Sequence, residues 1–206
     1  MAARLAERAR RLNRGGARHE VPGGGAFALL SDRDRLPDPG PLLDLLPAGS
    51  LVILRHTDAA TRRRLGVALA PACRARRLFL LVADDLDLAV ALGVGLHLPE
   101  RALATVAARV RLWHRGRGRL LTAAVHSAGA MEKARRAGAD ALLLSPVFAT
   151  LSHPEAVPMG ALRFRLLVRR SPLPVLALGG VTPATLARLR QSGAAGVATV
   201  GGLQHR

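Results

Sequence analysis

Two pairs of adjacent glycines end short apolar runs in the last part of the chain. Gly179-Gly180 follows "VLAL" and precedes Thr182-Pro183, and Gly201-Gly202 follows "GVATV". Glycine weakens a strand, so a pair at a strand end indicates a tight turn or a group that approaches the backbone closely. Exposed N–H groups in such turns are suited to phosphate. Two tight turns or a phosphate site would account for these glycines, and we predict the phosphate site.

Other polar side chains directly follow apolar runs, where they could bind anions or transfer protons. Arg55 follows "LVIL", and its guanidinium could clamp an anionic group. His126 follows "LTAAV", and a histidine there could transfer protons near neutral pH. His97 lies within "GLHLP" and is interpreted as a packing residue at the end of a strand.

Three carboxylates, Asp84, Asp85 and Asp87, follow the apolar run "LFLLVA". They could hold a metal ion. They could equally form the negatively charged start of a helix, where carboxylates interact favourably with the helix dipole. The residues alone leave both interpretations open.

These positions need a fold that brings the ends of the apolar runs together. Eight short apolar runs alternate with helical segments, which is typical of a parallel sheet covered by helices. The runs are Phe27–Leu30, Leu51–Leu54, Leu78–Val82, Gly95–Leu98, Leu120–Val125, Ala141–Leu144, Val175–Leu178 and Gly196–Val200. Eight runs favour a small α/β fold, a (β/α)8 TIM barrel, over a doubly wound open sheet. In such barrels the loops after the strands carry the site, and phosphate often binds after strands seven and eight.

Turn residues predict where helices begin and end. Thr182-Pro183 predicts the N-cap and first residue of a helix, and the glycines in "RAGAD" and "QSGA" predict helix ends. We predict a barrel over residues 26–206, preceded by a basic N-terminal extension of residues 1–25.

The composition limits the classes of function. The chain has 206 residues and a formal net charge of +17, carried by arginines spread along the chain without aromatic residues to stack bases. We therefore predict no nucleic-acid partner. No apolar run approaches the roughly 20 residues of a membrane span, so we predict a cytoplasmic protein with no membrane partner. The single cysteine, Cys73, supports neither a disulfide framework nor a cysteine metal cluster.

Taken together, the motifs resemble the thiamine phosphate synthase family, which includes a related thiazole tautomerase. The similarity is carried by "DDLDLAVALGVGLHL", "AAVHSAGAMEKARRAGADALLLSPVFATLSHP", "VLALGGVTPATLARLRQSGAAGVATVGGL" and, more faintly, "ILRHT". The resemblance implies a (β/α)8 barrel. It also implies a synthase that joins 4-amino-2-methyl-5-hydroxymethylpyrimidine diphosphate to thiazole phosphate with Mg²⁺ and releases pyrophosphate.

The resemblance assigns roles to individual residues. The glycine pair Gly179-Gly180, with Val200 and Gly201 and the adjacent Gly202, matches the thiazole phosphate site. Thr150 and Ser152 match hydroxyls that face the same substrate. Asp84 matches a carboxylate that binds Mg²⁺, and Arg55 matches the arginine of the diphosphate site. His126 stands where the tautomerase has its histidine, and His153 stands where the synthases have a lysine.

The diphosphate half of the site departs from the family pattern. Only Arg55 is retained from Q-x-R-x-K, and the second metal-binding Asp aligns with Ala102, although Glu100 is close. His56, His153 and nearby arginines would have to replace the missing lysines.

Three functions follow from this pattern. We favour a divergent synthase, a transferase with His126, Arg55 and His153 as its catalytic residues. The alternatives are a thiazole-phosphate tautomerase that uses His126 as general acid and base, and a non-catalytic protein that binds thiazole or thiamine phosphate. The expected partners are small phosphorylated substrates and a second copy of the chain in a homodimer.

Overall fold

Eight parallel strands form a closed barrel. The computed structural model describes Ala9 and residues 19–105, 108–114, 119–150 and 155–200. Each strand pairs with its neighbours along the chain, and β8 pairs with β1. The strands are β1 Phe27–Leu30, β2 Leu51–Leu54, β3 Phe79–Ala83, β4 Gly95–Leu98, β5 Leu121–Val125, β6 Ala141–Leu144, β7 Val175–Ala177 and β8 Gly196–Val200. The predicted barrel is confirmed, and the open sheet was the wrong alternative.

Every predicted apolar run is a strand, and the bounds differ by one residue at most. The run predicted from Leu78 begins at Phe79 because the Leu78 N–H instead bonds the Cys73 carbonyl, in the turn that ends the preceding helix. Nearly all strand residues are buried, since helices cover the outside of the barrel and side chains fill its inside. The apolar runs are continuous for that reason.

All the described helices but α1 are short, and most begin at a side-chain cap. They are α1 Ala59–Ala75, α2 Leu86–Leu92, α3 Ala108–His114, α4 Ala128–Ala137, α5 Gly160–Arg170 and α6 Pro183–Leu186, with 3-10 turns at Gly40–Leu45, Glu100–Ala104 and Ala187–Leu189. Asp58, Asp85, Ser127 and Thr182 each accept a hydrogen bond from the backbone N–H three residues on. The start at Thr182-Pro183 and the end at Gly138 are as predicted. Gly193 of "QSGA" instead lies beyond the last helical turn, which ends at Leu189.

The core has two layers because strand side chains alternate between the two faces of the barrel wall. The inner layer includes Leu30, Ile53, Leu81, Leu143 and Leu176, with several alanines. The outer layer packs the other strand residues against the helices. With few aromatic residues available, leucine, valine and alanine fill both layers.

Part of the predicted N-terminal extension is integrated into the barrel. Val21 is buried and belongs to the inner layer, at the end where the strands begin. The domain boundary at residue 25 stays a prediction. Among the described residues, no helix is long and apolar enough to cross a membrane.

Candidate active site at the carboxyl end of the barrel

A cavity of about 860 Å³ opens at the ends of the strands. All eight strands or the residues directly after them contribute to its lining. Its lining includes Arg55, His56, Arg62, Asp84, His97, Arg101, His126, Ser145, Thr150, Gly179 and Val200. This is the end of a (β/α)8 barrel where active sites lie.

Arg55, after β2, is held by an aspartate in the loop after β1. Its Nη2 donates to Asp32 Oδ2 at 2.9 Å, and Arg35 donates to the same oxygen at 2.8 Å. The hydrogen bonds and charge of Arg35 hold the pKa of Asp32 well below its usual range. Asp32 is therefore ionised and fixes the Arg55 guanidinium at the cavity wall.

His56 is part of a buried hydrogen-bond network. Its Nδ1 lies 3.1 Å from Ser31 Oγ, which also accepts the Arg55 N–H at 2.8 Å. Burial lowers the pKa of His56, so the ring is neutral at neutral pH. His56 therefore lines the cavity as a neutral ring and lacks the permanent charge of a lysine.

Asp85 caps α2 and also binds an arginine that the sequence did not single out. Its side chain accepts from the Leu88 N–H at 3.0 Å and from Arg62 Nη2 at 2.8 Å. Arg62, in the first turn of α1, also donates to the His56 carbonyl at 2.7 Å. Arg62 thus joins the loops after β2 and β3 and adds positive charge to the cavity. The helix-start interpretation is correct for Asp85.

Asp84 is the carboxylate of the cluster that lines the cavity. It has a positive φ of 55° and pairs with Arg101, which follows β4. Asp87 points elsewhere and pairs with Arg109 of α3. The three aspartates therefore do not converge, and the described residues contain no group of three or more His, Cys, Asp or Glu that could hold a metal.

His97 lies at the cavity floor and is held by Thr122 of the neighbouring strand. Its Nδ1 is 2.8 Å from Thr122 Oγ1, which is fully buried. This hydrogen bond fixes the orientation of the imidazole ring, since the hydroxyl can pair with either tautomer of Nδ1. Burial lowers the pKa of His97 to about 3. The predicted packing residue is thus also a neutral, hydrogen-bonded ring at the cavity floor.

His126 follows β5 and has one ring nitrogen fixed. Its Nδ1 donates to the Ser145 carbonyl at 2.7 Å, so the neutral ring has an unprotonated Nε2. The backbone N–H of His126 donates to Glu100 Oε2 at 2.8 Å, and the same oxygen lies 3.9 Å from Nε2. Glu100 therefore helps to hold His126 in place.

Gly179 and Gly180 turn the chain sharply after β7. Their φ angles are 92° and 61°, in the region that favours glycine. A Cβ on Gly179 would lie 2.9 Å from Pro146 Cα, and one on Gly180 would overlap the Ala149 carbonyl oxygen. The glycines thus make a tight turn and let the loop after β6 pack closely. Their N–H groups have no hydrogen-bond partner within the described part of the chain.

Six of the predicted site residues lie around this cavity: Arg55, Asp84, His126, Thr150, Gly179 and Val200. Gly180 lies directly beside Gly179. Ser152, His153, Gly201 and Gly202 lie outside the described residues. Sequence reasoning missed Asp32, Arg62 and Arg101, which are remote in sequence from the partners they hold. Only Asp32 could have been found from the sequence, because it lies close after the end of a strand, as the predicted site residues do.

The residues 41–203 match the family model described as thiamine monophosphate synthase. This match covers most of the chain and includes every strand of the barrel but β1. The chain belongs to the thiamine monophosphate synthase family. The family resemblance drawn from the motifs is confirmed.

Relatives named thiamine-phosphate synthase agree with the family model. The protein of Prochlorococcus marinus (strain MIT 9313) is 33% identical over 158 residues, which are 75% of this chain and 44% of that protein. The protein of Chlorobium luteolum is 30% identical over 183 residues, which are 84% of this chain and 82% of that protein. The chain thus spans less than half of the Prochlorococcus relative and most of the Chlorobium one.

A solved structure has the same fold. The thiamine phosphate pyrophosphorylase from Pyrococcus furiosus superposes with a TM-score of 0.70 at 22% identity. The match covers 90% of this chain and 91% of that chain. At this identity the likeness concerns the barrel alone, so the roles of the site residues rest on the geometry of this cavity.

Proposed function

We propose that this chain is a divergent thiamine phosphate synthase. It would join the aminopyrimidine, carried as its diphosphate, to thiazole phosphate and release pyrophosphate. The proposal rests on a single cavity whose two ends differ in chemistry, in a chain that belongs to this family. One end is built from arginines after β2 and β4, and the other from the glycine turn after β7 and the end of β8.

The glycine end is suited to the phosphate of the thiazole. The N–H groups of Gly179 and Gly180 are free of partners in the described chain, and Thr150 and Val200 line the same part of the cavity. Backbone N–H groups that converge in a turn bind phosphate oxygens well. We assign the thiazole phosphate to this end, with Ser152, Gly201 and Gly202 as further proposed contacts.

The arginine end is suited to the diphosphate. Arg55, Arg62 and Arg101 line it, and guanidinium groups match phosphate oxygens in geometry and charge. In the reaction the bond from the pyrimidine methylene carbon to the diphosphate oxygen breaks, and its electron pair leaves with pyrophosphate. The thiazole nitrogen then forms the new carbon–nitrogen bond. Fixed positive charge beside the leaving group lowers the barrier to the first step.

The charge of these arginines could replace that of the lysines missing from the family pattern. Arg62 and Arg101 come from α1 and the turn after β4, so they add charge from elements that the lost lysines did not occupy. His153 stays a proposed further contact. Each of the three arginines is held by an aspartate: Arg55 by Asp32, Arg62 by Asp85 and Arg101 by Asp84.

The donors at this end fit a Mg²⁺ that is bound together with the diphosphate. Magnesium sites commonly use one or two carboxylates plus substrate phosphate oxygens. Asp84, which pairs with Arg101, supplies one carboxylate on the cavity wall, and Asp85 is engaged by Arg62 and by the helix cap. When bound, the ion would neutralise negative charge on the departing pyrophosphate.

A tautomerase is the second candidate, and the geometry of His126 favours it. The Ser145 carbonyl holds the proton on Nδ1, which leaves Nε2 as a base at the cavity wall. A general base in this position could move a proton on the thiazole ring. In that case His126→Ala would abolish proton exchange on thiazole phosphate, while His126→Ala in a pure synthase would leave that exchange at its background rate.

The first experiment is thiamine phosphate formation by the purified chain. The assay supplies the aminopyrimidine diphosphate, thiazole phosphate and Mg²⁺, with and without a chelator. Product that the chelator removes is the expected result. A folded chain that binds thiazole phosphate but forms no product would contradict the synthase. Proton exchange on thiazole phosphate would then identify a tautomerase, and binding without any turnover would identify a binding protein.

A further inference from the structure

A second cavity lies at the opposite end of the barrel, where the strands begin. Its volume is about 320 Å³, enough for a small molecule. It lies between the end of α1 and the starts of β3 and β4. Its walls are largely apolar, formed by Leu78, Leu80, Val94 and Leu120, with the Cys73 thiol also in the lining.

The charged side chains that line this cavity are all cationic. Arg74 and Arg77 come from the end of α1 and the turn after it, and Arg119 precedes β5. Among the described lining residues there is no carboxylate. The Cys73 thiol supplies no negative charge either, because burial raises its pKa to about 11.

Arg119 has a buried guanidinium nitrogen that could donate to an anion. Its Nη1 is buried and has no hydrogen-bond partner among the described residues. The half-buried arginines of the active-site cavity differ, since Asp32 pairs with Arg55 and Asp85 pairs with Arg62. A buried guanidinium N–H without an acceptor is unfavourable, so buried cations are normally paired or ligated.

We propose that this cavity binds a small phosphomonoester with an apolar body. The phosphate would accept hydrogen bonds from Arg119 and interact with Arg74 and Arg77, and the apolar part would lie against the leucines. Arginine matches phosphate in both geometry and charge. The lining residues that are described include no histidine or carboxylate that could transfer a proton. The proposed site is therefore one for a regulator and not for a reacting substrate.

An NMR titration of the full chain with phenyl phosphate tests the proposal. The amide signals of Val94 and Gly95 report this cavity, and those of His126 and Gly179 report the active-site cavity. We expect the two pairs of signals to follow separate saturation curves. The first curve is that of Val94 and Gly95. Arg119→Gln should raise the Kd of phenyl phosphate on this curve by at least about tenfold, as expected when a hydrogen bond to a charged group is lost.

Matched controls separate this site from the general positive charge of the chain. Arg63 is exposed on α1 and does not line this cavity, so Arg63→Gln should leave the curve of Val94 and Gly95 unchanged. Phenol should produce no saturation at Val94 and Gly95, because it lacks the phosphate. If Arg119→Gln disturbs the amide spectrum of the free protein, Arg74→Gln takes its place, with a weaker first curve expected.

Two results would overturn the proposal. One is that Val94 and Gly95 do not shift while the active-site signals saturate. The other is that the first curve survives in a folded Arg119→Gln and in Arg74→Gln. Failure of the proposed synthase activity is a separate result, because it concerns the second pair of signals and the product assay.

Discussion

Arg55 is the residue on which the diphosphate end of the cavity depends most directly. We expect Arg55→Ala to lower kcat/KM for the pyrimidine diphosphate by about a hundredfold or more, because a charge-assisted contact to the leaving group is lost. The kcat/KM of Arg55→Lys should lie between those of wild type and Arg55→Ala, because lysine keeps the positive charge but cannot form two parallel hydrogen bonds as a guanidinium does. The KM for thiazole phosphate should change less than about twofold. Steady-state kinetics with each substrate varied in turn measures both.

Arg33 provides the control for this prediction, since it is an exposed arginine in the same loop as Asp32. Arg33→Ala should keep kcat near the wild-type value. Asp32 retains Arg35 as a partner in Arg55→Ala, so folding should persist. A KM for thiazole phosphate that rises as much in Arg55→Ala as the KM for the pyrimidine diphosphate would place Arg55 outside the diphosphate end.

His97 makes the stability of the fold depend on pH. Its pKa is about 3 in the folded chain, whereas an unfolded histidine has a pKa near 6.5. The unfolded chain therefore binds the proton first as the pH falls. The contribution of His97 to the free energy of unfolding is complete above about pH 6.5. It is lost as the pH falls from there to about pH 3, by up to about 1.4 kcal/mol per pH unit. Urea unfolding at several pH values measures it.

The difference between wild type and His97→Gln isolates this effect, because the aspartates titrate alike in both proteins. The free energy of unfolding of His97→Gln should fall less steeply between about pH 6.5 and pH 4. If the unfolding free energies of the two proteins fell in parallel with pH, His97 would have the same proton affinity in the folded and the unfolded chain. His56 contributes in the same direction, since burial lowers its pKa too, but it is present in both proteins.

At the scale of elements, the turn after β7 is held by contacts that only glycine permits. Gly180→Ala should lower the free energy of unfolding by about 2–4 kcal/mol, because the new Cβ meets the Ala149 carbonyl and φ is positive. Gly138→Ala is the matched control, since Gly138 also has a positive φ but a Cβ there meets nothing within 4 Å. The difference between the variants, measured by urea unfolding, gives the cost of the steric contact. Equal losses would mean that φ alone requires the glycine.

The elements could be predicted closely because each has a local signal. The strands of a covered parallel sheet are apolar throughout, so runs such as "LVIL" and "ALLL" give β2 and β6 with their observed bounds. Thr182-Pro183 has the chemistry of a helix start. The region after α6 was less predictable, because "LARLRQSG" continues the helical spacing while the chain leaves the helix after Leu189.

The candidate site could be predicted only in part, for a physical reason. Residues directly after strands, such as Arg55, Asp84 and His126, reach the cavity because parallel strands end together. Arg62 and Arg101 reach it from helical turns, where nothing in the local sequence separates them from the other arginines of the chain. The role of His97 also depends on Thr122, its neighbour across the β4–β5 pairing. Such pairings are set by the whole barrel.

At the scale of the whole molecule, the net charge of +17 should help to attract anionic substrates. Arg33 and Arg64 are exposed near the cavity, one in the loop after β1 and the other at the start of α1. We expect the double variant Arg33→Glu/Arg64→Glu to raise the KM for the pyrimidine diphosphate by about three- to tenfold at low salt. The effect should vanish near 0.3 M NaCl, because the Debye length there is shorter than about 8 Å and exposed charges are screened from the substrate.

Arg169→Glu/Arg170→Glu makes the same change in net charge at the other end of the barrel. These arginines end α5 and lead into the start of β7, so they lie far from the cavity. This variant should leave the KM close to wild type at every salt concentration. If both double variants raise the KM equally, the total charge matters and its position does not. If neither does, the arginines inside the cavity attract the diphosphate without help from the surface.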